Sequence, residues 1–412
     1  VSYQTQWNAY IAYKAQTALG AQASGTGAAI LRTTGGAGGR LTKAAVESQE
    51  ISHDAMSTRG RHGTQKTTGT YTAETSIGSF DDILEAVMRG AWEAALTITE
   101  ATGGMSSATL AVGASTITAS AGSWITSGLR VGDVMRLTAG FVAGNLNRNL
   151  RITGLTATVV TVAETLTVEA GPLSTYTVVR KGQKLINPAA GSIVKPYFTV
   201  EEHEIDIDGS EVFTDCQWGS LRFQMQPNGL LTIEPTWVGT GQMETKTAGD
   251  SPFFTSPSET TSVPLAVLDA SLLLGGAAVV DLTSFDLTID NQLTAPDVAA
   301  SKFAPDVFDG QQMVGMNLTA LRQDLAKVAD FLDETVLSLQ LLAVENEAEP
   351  KDFLSIYVPN FTLGSVDKSA LSKQGGPRTQ TFSVAPALVG RDDTGGAFDA
   401  CMVKFQVSND AA

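Results

Sequence analysis

The segment SFDDILEAVMRGAW, residues 79–92, decides how the rest of the chain is read. Phe80, Ile83, Leu84, Val87 and Met88 fall at helical spacing and form one apolar stripe. Asp81, Asp82 and Glu85 crowd the first turns, where the helix dipole favours negative charge. Ser79 stands at the N-cap position with Asp82 three residues on, and Gly90 marks the end. A helix this short is marginal alone in water, so it must lie on a neighbour. Both neighbours, 67–77 and 94–101, read as strands. The order returns at 313–322, 324–332 and 335–344: a strand, a short helix with Leu325, Val328, Ala329 and Leu332 on one face, then a strand. Strand, short amphipathic helix, strand therefore occurs twice, an internal repeat.

The 412 residues allow two or three domains. Charged residues make up 17% and glycines number 40, which favours a β-rich chain with many turns. No apolar run reaches the roughly 18 residues of a membrane span, and the start, VSYQTQWNAY, lacks a basic flank before an apolar core, so neither membrane insertion nor a signal peptide is expected. Cys216 and Cys401 are too few for a disulfide framework and read as buried thiols, with a single bridge as the alternative. A formal net charge of −16 argues against a protein that grips phosphates and fits one that repels nucleic acid or is merely well solvated.

Residues 1–45 carry Trp7, Tyr10 and Tyr13 and then a loose Gly/Ala/Thr stretch, an arm expected to gain order on another surface. The run Gly35-Gly36-Ala37-Gly38-Gly39-Arg40 matches neither phosphate-loop pattern and reads as a flexible turn. Two strands within 46–77 flank a basic loop with Arg59, Arg61 and His62, either solvated or docked on an acidic neighbour. Between 102 and 183 come five short alternating segments and no helix, a small barrel, or an extension of the parent sheet. Alternation over 197–208 puts Glu202, Glu204, Asp206 and Asp208 on one strand face. Those carboxylates offer a hard cation oxygen ligands, but the calcium-loop spacing is missing and a water-filled face is the plainer reading. Pro227-Asn228-Gly229 is a turn between two strands, 240–263 reads as a linker, and the residues after 407 as a fraying tail. Three histidines, no HExxH, no CxxC and no G-x-S-x-G leave no reaction centre to assign; Ser52-His53-Asp54 is sequential, so its side chains diverge on a strand. No enzyme activity, metal or cofactor is expected.

Ala12-Tyr13-Lys14, Glu47-Ser48-Gln49-Glu50-Ile51, Arg61-His62-Gly63, the 78–86 segment closing on Trp92, Phe213-Thr214-Asp215-Cys216, Gln226-Pro227-Asn228, 285–291 and 304–308 follow one another along the chain. Taken in that order, these blocks resemble the tail tube proteins of long-tailed (siphovirus) bacteriophages. Val131-Gly132-Asp133-Val134 and 149–157 resemble a piece seen within such proteins. Asp215 stands where a glycine is expected, and the N-terminus is longer than usual. The resemblance implies a mainly β chain with short flanking helices: two tandem tail-tube β-sandwich or barrel domains with a small all-β barrel inserted in the first. The expected boundaries are 1–45 for the N-terminal arm, 46–101 plus 184–240 for the first tube domain, 102–183 for the insert, 241–263 for the linker and 264–412 for the second tube domain. It implies a structural virion protein of the viral tail, polymerising as stacked homotrimeric, pseudo-sixfold rings around passing double-stranded DNA. Tape-measure, terminator and baseplate or tip proteins would be its partners. Glu202, Glu204, Asp206 and Asp208 would face the lumen, and Trp7, Tyr10, Tyr13, Arg59, Arg61 and His62 would meet neighbouring subunits. The rivals are another β-rich virion protein, or an adhesin or carbohydrate-binding module.

Overall fold

A computed structural model describes residues 3–51, 53–279, 281–345, 352–373 and 375–408. The expected fraying tail beyond 408 and Ser52 of the Ser-His-Asp run lie outside the described residues. The chain is mainly β, with two short α-helices among the described residues. Its largest sheet has eleven strands. Eight of them form one path, and we label these β1 (Gly35–Val46), β2 (Arg61–Glu74), β3 (Gly209–Met225), β4 (Thr232–Thr247), β5 (Leu282–Asp290), β6 (Met313–Leu321), β7 (Ser365–Lys368) and β8 (Thr379–Val384). Their spatial order is β1-β2-β4-β3, then β5-β6-β8-β7. Each half is hairpin, helix, hairpin along the chain. Helix α1 (Asp81–Met88) follows β2, and helix α2 (Ala326–Leu332) follows β6.

Strands Ala9–Ala15 and Ala29–Leu31 join this sheet through Phe198–Glu204, which pairs with the first half of β3. A six-stranded sheet, whose central strands are Leu337–Val344 and Phe353–Phe361, packs against it. The core lies between the two. Phe223 of β3 meets Phe405 of the second sheet with ring centroids 5.9 Å apart.

The stripe of α1 is buried as its periodicity predicts, with Ile83 and Val87 wholly inside. Its ends differ from expectation. The Ser79 hydroxyl does not cap the helix; it is drawn to Ser76 Oγ at 2.6 Å and to Thr260 Oγ1, a partner 181 residues away. The left-handed residue that stops the helix is Arg89, φ 56°, not Gly90. Gly90 is small because a Cβ there would sit 2.8 Å from the Ile186 carbonyl. Burial, then the neighbouring Asp82 and Glu85, push the Asp81 carboxyl up to about 6.

The N-terminal region is not a loose arm. Ala9–Ala15 pairs along its whole length with Phe198–Glu204, and Tyr13 packs edge-on against Trp218 in the core. The glycine run at 35–39 is not a flexible turn but the start of β1, paired with Gly69–Thr72 of β2. A Cβ at Gly39 would lie 2.5 Å from the Phe213 ring, and one at Gly36 would meet the Thr70 carbonyl at 2.5 Å. Glycine there permits close layering rather than flexibility. Residues 248–263 are likewise held: Phe254 is fully buried, and the Glu201 carboxylate accepts the Phe253 and Phe254 amides at 2.6 and 2.9 Å.

The small sheet has eight strands, with Leu96–Thr99 at one margin paired to Thr177–Arg180. The expected boundary at 101/102 assigns the first of these to the parent domain, whereas its hydrogen bonds are with the small sheet. This unit has its own core around Trp124, Leu137 and Ile152. It also grips the second sheet. Lys404, 1% exposed, places Nζ 2.9 Å from Asp133, 2.8 Å from Asp399 and 2.7 Å from the Val131 carbonyl. Gln406 Nε2 donates to the Val134 carbonyl, and its Oε1 accepts the Val134 amide, both at 2.7 Å. Cys216 and Cys401 are both buried and free.

Candidate assembly interface

The eight-strand path changes halves at β3 and β5. Six residue pairs join them, from Ser220↔Asp290 to Met225↔Phe285. Leu221, Phe223, Phe285, Leu287 and Ile289 turn into the core, as period-two alternation requires. Arg222 lies on the other face and meets Asp286 of β5 through Nε at 3.0 Å and a second nitrogen at 2.5 Å. The pair is part-exposed, so it fixes register more than it adds stability.

The path ends at β1 on one side and β7 on the other. Among the described residues neither pairs with a further strand on its outer edge, though the Gly39 amide of β1 donates to the Glu202 carboxylate. Such edges are templates for another strand. The Ser369 amide donates to the Thr379 carbonyl, and Asp367 opposes Thr381 two residues back. Antiparallel alternation therefore aims the Val366 and Lys368 amides outward, away from β8.

The face of the path opposite the core is rich in threonine: Thr68, Thr70 and Thr72 on β2, Thr232 and Thr236 on β4, Thr288 on β5. Thr70 and Thr236 are directly opposed, with hydroxyls 3.0 Å apart, and so are Thr319 and Thr381 at 3.0 Å. These pairs occupy the same place in the two halves, between β2 and β4 and between β6 and β8. Glu74, Glu234, Asp286 and Asp290 share this face. Period-two spacing over 68–74 and 232–236 carried that signal.

The four carboxylates read as a strand face are not one. The strand ends at Glu204, and Ile205–Ile207 is a 3-10 turn closed by Asp208 at φ 49°. Glu202 accepts the Tyr71 hydroxyl at 2.7 Å and the Gly39 amide at 2.5 Å. Burial raises its pKa against those two bonds. Asp206 accepts the Thr5 amide and hydroxyl at 2.8 and 2.5 Å and Asn8 Nδ2 at 2.6 Å, which lowers its pKa. It anchors the N-terminal segment. Tyr13 is buried in the chain's own core, and the Tyr10 ring lies tilted against His203 with centroids 5.0 Å apart. Trp7 is 82% exposed. Arg61 and His62 belong to β2 rather than to a loop, Arg59 precedes it, and all three are exposed. Asp215, at φ 58°, sits in a bulge of β3 where glycine is the easy residue; its carboxylate accepts the Gly20 amide at 2.7 Å and Gln242 Nε2 at 3.0 Å.

Among the described residues no group of His, Cys, Asp or Glu is placed to hold a metal, and no helix is long and apolar enough to cross a membrane. The eight-strand path presents two open strand edges and a polar sheet face. A family model of phage tail tube proteins matches residues 6–386, and the chain belongs to that family. It is a structural protein of the virion tail, in a family whose members assemble into a tube. Comparison with curated proteins gave no match.

Proposed function

We propose that this chain is the tube subunit of a long-tailed phage, carrying two tandem tube domains, and that three copies close a pseudo-sixfold ring. The observation that carries the reading is the β3–β5 seam. Within one chain, the last strand of the first half already pairs with the first strand of the second. Repeating that step joins β7 of one copy to β1 of the next. A contact of this heterologous kind, repeated around an axis, closes a ring. Three copies supply about twenty-four strands; at about 4.8 Å spacing and about 40° tilt the backbone circle is on the order of 40–50 Å across. That leaves room for a duplex about 20 Å wide. The single chain exposes 19428 Å². A compact monomer of this mass exposes about 15,000 Å². The difference is surface available for burial between copies.

The insert and the outer sheet lie on the far side of the core from the polar face, which becomes the channel wall. Its threonines present short neutral hydroxyls, and its carboxylates outnumber the cations left after Arg222 pairs with Asp286. Such a wall repels phosphates and lets double-stranded DNA pass without a binding site. Rings stack into the tube, where tape-measure, terminator and baseplate or tip proteins are its partners.

Negative-stain microscopy of purified protein tests this: rings or tubes with a central hole are expected, and monodisperse particles at high concentration refute it. Within assembled tails, Glu234→Lys with Asp290→Lys should leave tube length unchanged and slow DNA ejection several-fold, read as ejection rate after receptor triggering. An unchanged rate removes the channel-wall assignment.

A further inference from the structure

Helix α1 packs on β3 of its own half, and its last turn is clasped by the second half. The Val87 carbonyl accepts Asn291 Nδ2 at 2.8 Å and Gln312 Nε2 at 3.1 Å. Arg89, the left-handed residue that stops the helix, pairs with Asp309. All three partners lie between the end of β5 and the start of β6. That segment is laid over the first half: the Ala304 amide donates to the Thr240 carbonyl at 2.9 Å, and the Gln65 amide to the Lys302 carbonyl at 2.8 Å. The chain leaving the strand beyond the seam thus secures the helix before it.

Helix α2 rests on β7 as α1 rests on β3. The two begin and end alike. Phe80 and Leu325 stand at their N-caps, and at equal distance beyond them come Arg89, φ 56°, and Glu334, φ 49°. In that alignment Leu332 takes the place of Val87, and Glu334 that of Arg89. Yet Val87 is wholly buried and Leu332 is 72% exposed, and no residue of α2 is buried. Asp333 and Glu334 are exposed at its end. Lys327 is paired with Asp330 at 2.8 Å, and Arg322 and Arg378, whose backbones are hydrogen-bonded, lie by the start of the helix.

In the first half, the segment between β1 and β2 holds the place that 291–312 holds between β5 and β6. The described residues from 42 to 62 are all exposed, Ile51 by 92% and Met56 by 68%. Glu47, Glu50 and Asp54 belong to the part nearer β1, whereas Arg59, Arg61 and His62 stand where the chain enters β2, as Asp309 stands where its counterpart enters β6. The signs are exchanged. Within the chain the clasp brings an acid to a basic helix end; at the two free surfaces the segment is basic and the helix end acidic.

We propose that residues 53–62 of each copy clasp the end of α2 in the copy whose β7 its β1 joins, with Arg59 and Arg61 set against Asp333 and Glu334. The clasp rests on the ring reading and names the contact that secures each seam between copies. Three observations select a second copy as the occupant. The two surfaces lie at opposite ends of the eight-strand path, so one chain cannot bring its own together. The β3–β5 seam already shows the same contact made, helix end against the segment leaving the next strand. The charges at the two free surfaces are opposite, which sets register as they approach. Covering Met56 and Leu332 then removes exposed apolar surface on both sides.

Three full-length variants test it. Arg59→Glu with Arg61→Glu, and separately Asp333→Lys with Glu334→Lys, should each lower ring yield by microscopy about tenfold or more. All four side chains are exposed, so the monomers should keep their far-ultraviolet circular dichroism. Carrying both pairs of changes in one chain restores opposite charges and should return rings to near the wild-type yield. Wild-type yield from either reversed pair alone, or no recovery in the combined variant, overturns the clasp and leaves the ring reading standing. A wild-type protein that forms no rings overturns both.

Discussion

Lys368→Pro should give a folded monomer that builds no rings, while Lys368→Ala builds them normally. Proline removes one backbone donor and fixes φ near a value that edge strands accept. The register places the Lys368 amide on the outer edge of β7, so the ladder to β8 keeps its bonds. What is lost is one of the few donors that strand can offer a neighbour, since it is only four residues long. The ring side of proline also carries bulk into the space the incoming β1 must occupy. The alanine variant removes the ammonium without touching the backbone and separates charge from hydrogen bonding. Sedimentation velocity reads the outcome directly. Rings from the proline variant would mean that β7 is not a joining edge.

Lys404→Ala should destabilise the chain by about 3–5 kcal/mol, the cost of leaving buried carboxylates without their cation. Asp133 is wholly buried and Asp399 nearly so. Chemical denaturation measures the loss. Hydrogen exchange should show the deprotection concentrated at residues 131–136, where the insert meets the second sheet. Lys404→Met with Asp133→Leu should recover much of it, because Asp399 keeps Lys184 at 3.2 Å. The pH dependence has a definite sign. Burial opposes ionisation of Asp399, but the Lys404 and Lys184 ammonium groups outweigh it and hold the carboxyl at about 2. Its contribution is therefore complete above the ordinary carboxylate pKa of about 4 and fades as pH falls toward about 2. Burial also opposes the charge on Lys404, but Asp133 and Asp399 raise its pKa above the ordinary lysine value. That contribution is whole below about 10.4 and fades only above it. Between those limits the clamp is insensitive to pH, and a mid-range transition in wild type that Lys404→Ala abolishes would contradict this account.

What was legible in the sequence was local and periodic. The stripe from Phe80 to Met88 specified a buried helix face, and it is buried. Alternation marked the strands of both halves, but the third member of the expected strand, helix and strand repeat goes to different sheets: Leu96–Thr99 joins the small sheet and Leu337–Val344 the six-stranded one. What was not legible depended on partners far along the chain. Ser79 has the chemistry of a cap, but Thr260 and Ser76 take its hydroxyl. Gly35–Gly39 reads as loose until Phe213 and Tyr71 are seen pressed against it. The alternation of carboxylates from Glu202 stops at Ile205, where the chain turns toward Asp208-Gly209. Lys404 stands in an apolar strand with Asp399 five residues before it, but its other acid, Asp133, lies 271 residues earlier. The docking of the insert on the second half was hidden for the same reason. The threonine face of β2 and β4 is written in period two, at Thr68, Thr70 and Thr72 and at Thr232 and Thr236.

A cryo-electron-microscopy map of the assembled tube, sharp enough to trace strands, tests the central claim most directly. The account predicts three copies around the axis, with β7 of each lying antiparallel and hydrogen-bonded to β1 of the next, so that one unbroken sheet encircles a channel wide enough for a duplex. Six identical copies per ring, or a β7 edge left facing solvent inside the tube, would contradict it.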